Sequence, residues 1–597
     1  LRPLSCCSAN FSSAPPDTAT RHLLPVVERA LRAIELGEME SAGQLALEVL
    51  ELAPGQPGAL IALYQVRSAQ HRPRAAETLL RRYVQLCPND TGPTCDLARL
   101  LMQSGNLDEA EVHARNAVRT APTSPVAHNL MGMITTEANR PRLGEFHYRR
   151  VLELSGGRDA ILLANLAWNL KTQGRVAEAR ALYEESVAAA PDIVQSLLGW
   201  ARMEEADRNF VRATELLDRA EALQPRNNNI RLTRAVVHGR RQEYDQALAV
   251  LDSMGPQSGA GGAPAGLGPN ELLEKGRLLD RIGRYDEAFA AFDEGKRAAR
   301  LALGHGYLDQ AADTLIARLR GFFTANRLRI TPRAGVRSDR PQPVFILGFP
   351  RSGTTLTEQI LTAHQRICAG DELPLIHEIT HIMPRMLNSP LTYPEALSEL
   401  WMGDQHEGLD NLRDYYLQRV AQLGILEAGA DWFTDKMPLN ETNLGLISLL
   451  FPQAPLIHVL RHPLDVVLSV FSNHLSHGFH CASELVTAAR HYVRVMDLVE
   501  HYKTEMVLRY MPIRYEDIVD DQEASVRRML DFIGAGFDPA CLAFTENRRY
   551  ARTASYAQVT EPLYDRSRFR HRHYHRHLAP VVAILEPVIR RLGYAIE

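Results

Sequence analysis

Cysteine is scarce in this sequence: seven among 597 residues, at positions 6, 7, 87, 95, 368, 481 and 541. The number is odd and no pairs stand at metal-ligand spacing, so the thiols read as free or buried ones in a reducing compartment. Charge of one sign is lacking too. Lys plus Arg total 67 against 71 Asp plus Glu, a formal net charge of −4. That excludes a strongly basic protein that coats nucleic acid, while leaving room for a local basic patch. No apolar run reaches the roughly eighteen residues of a spanning helix, so none is expected. Cys6-Cys7 does not read as a lipid-attachment signal, because the few residues before it hold no apolar export segment. The chain starts at Leu1 rather than methionine, which leaves its natural beginning and its targeting open. What remains is ordinary for a globular protein, 45% hydrophobic and 23% charged, and 597 residues are too many for one core. Two or more domains are expected.

The first half repeats itself. A small residue recurs at Ala42, Ala76, Ala110, Gly144, Ala179, Ala213 and Ala247, with spacings of 34, 34, 34, 35, 34 and 34. A second marker comes about twelve residues later, at Pro54, Pro88, Pro122, Gly156, Pro191 and Pro225. Between them runs an amphipathic stretch such as AEARALYEESVAAAP, with apolar residues at steps of three and four. The small residue lets two helices approach closely, and the proline ends the second helix because it has no N–H to give. The pattern resembles the tetratricopeptide repeat, most legibly in LMQSGNLDEAEVHARNAVRTAP (101–122). An eighth copy, LLDRIGRYDEAFAAFDEGK with Ala288, comes after a Gly/Pro/Ala-rich insertion at 255–270 that reads as a flexible loop. The resemblance implies an all-α superhelix over 21–300 whose concave face takes a peptide or protein. A scaffold that only positions the second domain, or that dimerises, is the bland alternative. Residues 1–20 read as a disordered or partial N-terminal segment.

Residues 301–340 begin helically and turn basic and broken (RITPRAGVRSDRPQP), a linker or an N-terminal extension of the second domain. From about 341 to 597 the pattern becomes α/β. Val344-Phe345-Ile346-Leu347-Gly348 reads as a buried strand, residues 349–355 as a loop, and LTEQILTAH as a helix. Pro455-Leu456-Ile457-His458-Val459-Leu460 is a second strand, leading through Arg461-His462-Pro463 into the helix LDVVLSVFSNHL. Such alternation implies a mostly parallel sheet with ligands beyond its carboxyl edge.

Gly348 to Thr355 reads G-F-P-R-S-G-T-T, with the spacing of a nucleotide-phosphate loop but Thr354 where that motif demands lysine. A glycine-bearing turn between strand and helix still exposes backbone N–H groups beside a helix N-terminus, which favours an anion. The cation has moved into the loop as Arg351, whose planar fork suits phosphate or sulfate. Phosphoryl chemistry would want the lysine and a downstream Mg²⁺-binding aspartate, and neither is evident. PVFILGFPRSGTTLTEQIL resembles the 5′-phosphosulfate loop of sulfotransferases that use 3′-phosphoadenosine 5′-phosphosulfate. The family's second signature, an arginine at a strand end and a serine eight residues on, is matched by Arg461 and Ser469.

The resemblance is closest to the protein-tyrosine sulfotransferases. It implies Arg351, Ser352, Gly353, Thr354 and Thr355 on the phosphosulfate, Arg461 and Ser469 on the 3′-phosphate, and Tyr515 near the nucleotide, where core packing is the rival reading. It implies Glu372 as general base, with Asp371 as competitor and His364 or His377 as fallbacks. Lys436 falls where a lysine meets the leaving oxygen, and Ser567 resembles a transition-state serine. The alternating His571, His573, His575 and His577 would line up as on a strand. With arginines between them they read as a basic clamp over the nucleotide rather than a metal site, and no metal is expected. Two departures stand out: Asn473 replaces an arginine four residues after the helix serine, and Leu373-Pro374-Leu375-Ile376-His377-Glu378 lacks the arginines that grip acidic peptides. Acidic-tyrosine recognition is therefore not supported, and the acceptor stays open among protein tyrosine, glycan and small molecule. The rival to an enzyme is a repeat-based adaptor with a vestigial nucleotide domain. A nucleotide co-substrate, no nucleic acid, no membrane and a cytoplasmic location, where the donor is made, complete the expectation. Oligomeric state, a dimer included, is left open.

Overall fold

A computed structural model describes residues 18–596 apart from 139, 158, 255–265, 304–306, 403–404, 406, 474, 476–478 and 547–566. The expected N-terminal segment up to residue 17, and most of the expected insertion at 255–270, lie outside the described residues. The chain divides into two compact units, one running to Ile230 and the other comprising Arg231–Met254 and everything from Leu267 onward.

In the first unit the 34-residue period is a helix hairpin. Met39–Leu52, Pro73–Leu86, Leu107–Thr120, Pro141–Ser155, Val176–Ala189 and Phe210–Leu223 are the second helices, each carrying the recurring small residue. Those residues are fully buried wherever they are alanine. At Gly144 a Cβ would come within 2.7 Å of Asn169 Nδ2 and 3.0 Å of the Gly132 carbonyl, so this hairpin closes too tightly even for alanine. Five of these helices stop just before Pro54, Pro88, Pro122, Pro191 and Pro225, and the sixth ends on Gly156 in the left-handed region at φ 59°. Neighbouring hairpins share apolar faces. Leu80 and Val84 pack with Leu97, Leu101, Ala114 and Ile134 of the next helices along the chain, each large side chain stabilising the stack by about 1.5–3 kcal/mol.

The second unit is built on a five-stranded sheet: β1 Gln342–Leu347, β2 Ile367–Cys368, β3 Trp432–Asp435, β4 Leu456–Leu460 and β5 Tyr510–Arg514. The strand order is β2-β3-β1-β4-β5 and every pairing is parallel. β1 is central and buried on both faces from Pro343 to Leu347, which is why it is apolar after Gln342. Phe345 and Leu347 enter the core formed with Leu375–Met386 and Gly408–Gln422, whereas Val344 and Ile346 enter the core formed with Thr354–Leu361 and Gln522–Ile533.

Segment 301–340 is an extension of this unit rather than a free linker. Its helix Asp309–Phe322 and residues 323–334 bury Leu319, Phe322, Phe323, Leu328 and Ala334 in the same core as Phe345. The eighth hairpin, Pro269–Arg281 and Tyr285–Leu303, also belongs to the second unit. Leu273, Leu278, Ala288 and Phe292 share a core with Leu464, Val467, Tyr574 and Leu578. The histidine-rich stretch is not a strand. Arg570–Tyr574 is a 3-10 turn and His575–Arg591 an α-helix, because Leu578, Val581, Leu585, Val588 and Ile589 recur at helical spacing and face that core.

Candidate active site

Parallel strands deliver the residues at their carboxyl ends to one edge of a sheet. Here the turn bearing Glu372 comes after β2, Lys436 after β3, the 348–353 loop after β1, Arg461 after β4 and Tyr515 after β5. With the strand order β2-β3-β1-β4-β5, those groups come one per strand, on strands about 5 Å apart.

The loop leaves β1 at Gly348, where a side chain would meet Thr354 and the Val459 carbonyl, each at 2.8 Å. Arg351 sits in the left-handed region at φ 75°, a strain of order 1 kcal/mol for a residue with a Cβ. Ser352 is buried, its hydroxyl donating to the Phe349 carbonyl at 2.7 Å. Gly353 caps the helix Thr354–Leu361 at φ 108° and offers no side-chain acceptor to its first N–H groups, the arrangement that receives an anion. Thr354 and Thr355 are both buried in that first turn.

Arg351 and Ser469, 118 residues apart, meet: Arg351 Nε donates to Ser469 Oγ at 3.1 Å. Arg461 closes the same cluster. Its Nη1 donates to the Arg351 carbonyl at 3.1 Å and its Nη2 to the Ser567 carbonyl. Among the described residues its Nε is buried without a hydrogen-bond partner, an unmet donor of the sort a ligand oxygen satisfies. Asp465 Oδ2 lies 3.8 Å from Arg461, and Asp465 Oδ1 accepts from His571 N at 2.8 Å. Burial opposes charge on Asp465, but His571 and Arg461 hold its carboxyl below the usual range. Tyr515 lies under this cluster, its ring 5.0 Å from the Arg461 guanidinium and against Gly353, where a Cβ would come within 2.7 Å. Ser567 contributes its carbonyl to the cluster.

On the other side of β1, Lys436 is fully buried and donates to Glu372 Oε1 at 2.7 Å, while Glu372 is 35% exposed. Burial works against the ammonium, but Glu372, then Glu358 and Asp371, outweigh it and raise the Lys436 pKa. The turn carrying Glu372 is pinned from below by Glu358, which sequence reasoning missed. This carboxylate is 1% exposed. It accepts from Thr434 Oγ1 at 2.7 Å and from the Asp371 N–H at 3.0 Å. Its spacing on an amphipathic helix gave no signal apart from its polarity. Asp371 takes φ 61° and its carbonyl accepts from the Lys436 N–H at 2.9 Å, so its backbone builds the turn.

Other expectations separate from the site. His364 spends both ring nitrogens on the backbone of Gly536 and Arg366. His377 is exposed on the helix after Glu372 and lies against His381. The histidines of the expected clamp have partners of their own. His571 serves Asp465, His573 stacks on Tyr285 at 4.4 Å, and His577 stacks on Phe289 at 4.3 Å while meeting Asp286 at 2.7 Å. Asn473 caps its helix, its amide donating to the Ser469 carbonyl at 2.8 Å. Among the described residues no group of three or more metal-ligating side chains is found, and no helix is long and apolar enough to cross a membrane.

An anion loop without its lysine, flanked by a buried Lys–Glu pair and an Arg–Ser–Arg cluster, stands at the edge of an all-parallel sheet. Residues 343–539 match the family described as Sulfotransferase family, and residues 68–134 match that described as Tetratricopeptide repeat. The chain thus joins a sulfotransferase-family domain to a repeat region. An uncharacterized protein of Aquifex aeolicus (strain VF5) is 29% identical over 325 residues, 53% of this chain and 41% of that protein. Protein-tyrosine sulfotransferase 1 of Danio rerio is 24% identical over 244 residues, 40% of this chain and 66% of that protein. The chain therefore spans less than two thirds of these relatives. Among solved structures, a tetratricopeptide repeat protein from Parabacteroides merdae matches 38% of this chain and 91% of its own at 14% identity and a TM-score of 0.36.

Proposed function

We propose that the second unit transfers a sulfuryl group from 3′-phosphoadenosine 5′-phosphosulfate to a hydroxyl acceptor. The observation that carries this is the sequence of groups along one sheet edge: carboxylate, lysine, anion loop, arginine, aromatic ring. The loop residues Arg351 to Thr355 hold the phosphosulfate, and Arg461 with Ser469 holds the 3′-phosphate. Tyr515 supports both from below. Glu372 takes the proton from the acceptor hydroxyl as its oxygen forms a bond to sulfur. The bond from sulfur to the 5′-phosphate oxygen breaks in line, and Lys436 stabilises the charge that develops there. Positioning and charge do most of the work, as in phosphoryl transfer. Ser567 stays a candidate transition-state donor, placed beside Arg461 by its carbonyl. A protein tyrosine is the acceptor to try first, since a matched relative is named for it. The repeat face is the proposed recruiting surface for a peptide or protein.

Calorimetry with adenosine 3′,5′-bisphosphate tests the donor site. Binding that weakens roughly tenfold or more in Arg351→Ala and Arg461→Ala is expected, as for loss of a charge-assisted hydrogen bond. No binding to the intact protein, or binding indifferent to both substitutions, sinks the reading.

A further inference from the structure

Lys296, on the helix Tyr285–Leu303 of the eighth hairpin, is only 6% exposed. No acidic side chain pairs with it among the described residues. Its ammonium donates instead to two backbone carbonyls, Asn473 O at 2.6 Å and Val470 O at 3.5 Å. Both lie at the C-terminal end of Pro463–Phe471, the helix that carries Ser469. A cation there meets the negative end of the helix dipole and satisfies carbonyls that the helix leaves unpaired. The arrangement is costly. Burial pushes the Lys296 pKa down to about 8, and an apolar side chain would fill the space without an ammonium to desolvate.

The first helix of the same hairpin makes a second brace. Asp280 accepts from Arg570 Nε at 2.9 Å and from Tyr574 Oη at 2.5 Å, and Arg570 Nη1 reaches Ser472 Oγ at 3.5 Å. Arg570 directly precedes His571, whose N–H and Nδ1 both face Asp465 Oδ1, and Asp465 stands beside Arg461. One hairpin thus grips both halves of the Arg461–Ser469 cluster: Lys296 the Ser469 helix, Asp280 the segment that aligns Arg461.

We infer that the eighth hairpin is part of the nucleotide site, with Lys296 and Asp280 as positioning residues that set Ser469 and Arg461 for the 3′-phosphate. The inference rests on the proposed donor reading and narrows it. The loop that takes the 5′ end touches the cluster through Arg351, but its anion site is its own backbone at the start of Thr354–Leu361, so loss of either brace should fall mainly on the 3′-phosphate.

The experiment measures dissociation constants of adenosine 3′,5′-bisphosphate and of adenosine 5′-monophosphate on the full chain. Intact protein is compared with Lys296→Met, Lys296→Arg and Asp280→Asn, each checked for folding by circular dichroism. The intact protein is expected to prefer the bisphosphate. Lys296→Met loses roughly tenfold of that preference, within the range of a partly buried helix-terminal charge, while monophosphate affinity moves less than about twofold. Lys296→Arg keeps most of the preference, and Asp280→Asn loses roughly threefold or more. If Lys296→Met does not fold, Asp280→Asn decides. An unchanged preference, or parallel weakening of both nucleotides, overturns the inference and leaves the donor reading standing. An intact protein without any preference for the bisphosphate removes the donor reading and the inference together.

Discussion

Glu372→Gln separates chemistry from architecture at this site. Glutamine keeps the size of the side chain and an oxygen for Lys436, whose Nζ sits 2.7 Å from Glu372 Oε1, but it cannot take a proton from the acceptor. General bases contribute about 10²–10⁴ in rate, so turnover should fall at least a hundredfold, roughly 2.7 kcal/mol at the barrier. Stability should move far less. Removing one partner of a fully buried pair costs about 3–5 kcal/mol, but Glu372 is 35% exposed, and Glu358 and Asp371 remain to oppose the Lys436 charge. Discounted for solvent screening, the cost should be about 1 kcal/mol. The assay has three arms: transfer of labelled sulfate, calorimetry with adenosine 3′,5′-bisphosphate, and a thermal melt. Turnover lost with nucleotide affinity held within about threefold is expected. Near-normal turnover refutes Glu372 as base and hands the role to Asp371. Lost affinity or a collapsed melt shows that the carboxylate builds the site rather than acting in it.

Gly353→Ala places a Cβ 2.7 Å from Tyr515 Cδ2 at a residue with φ 108°, so nucleotide affinity should drop about tenfold or more; undiminished binding would mean that the loop is not the anion site. Gly144→Val forces a branched side chain where even a Cβ meets Asn169 Nδ2 at 2.7 Å. A loss of about 1–3 kcal/mol in denaturant unfolding of the repeats is expected, and an unchanged midpoint counts against the tight hairpin. Burial, the largest cause in each case, pushes His147, His462 and His491 down to about 4 and His458 to about 3, from an ordinary 6.5. Their neutral forms stabilise the fold fully above about pH 6.5, and that stability drains as pH falls toward 4. Asp435, raised to about 7, and Glu441, raised to about 8, both mainly by burial, act oppositely over the same range. Four imidazoles outweigh two carboxyls, so melting temperature should fall between pH 6.5 and 4.5; a flat or rising curve refutes the balance.

The repeats were legible because a close helix contact must recur in register, and only alanine or glycine fits it. The anion loop was legible because its chemistry is local: strand, turn and helix start come one after another in the chain. Glu358 and Lys296 were not legible. Each looks like an ordinary helix-surface residue until distant segments close over it, Thr434 and the 371 turn in one case and the end of the Ser469 helix in the other. The alternation of the histidines carried no element assignment of its own; the apolar spacing from Leu578 to Ile589 is the signal for the helix. The 301–340 segment looked like a linker because its end is basic and broken, but Phe322 and Phe323 supply enough apolar surface to anchor it.

The strand order also divides labour. β2 carries the carboxylate proposed to meet the acceptor and β3 the lysine proposed to meet the leaving oxygen, while β4 and β5 carry the groups proposed to hold the far end of the donor, with the β1 loop between. Such a layout makes specificity exchangeable. The helix after that turn, Leu375–Met386, could be rewritten on its exposed face for a new hydroxyl while Glu372, Arg461, Ser469 and Tyr515 keep their neighbours. A lineage could then change what it modifies without relearning how to bind the donor, and a laboratory seeking new acceptors should vary that one stretch first.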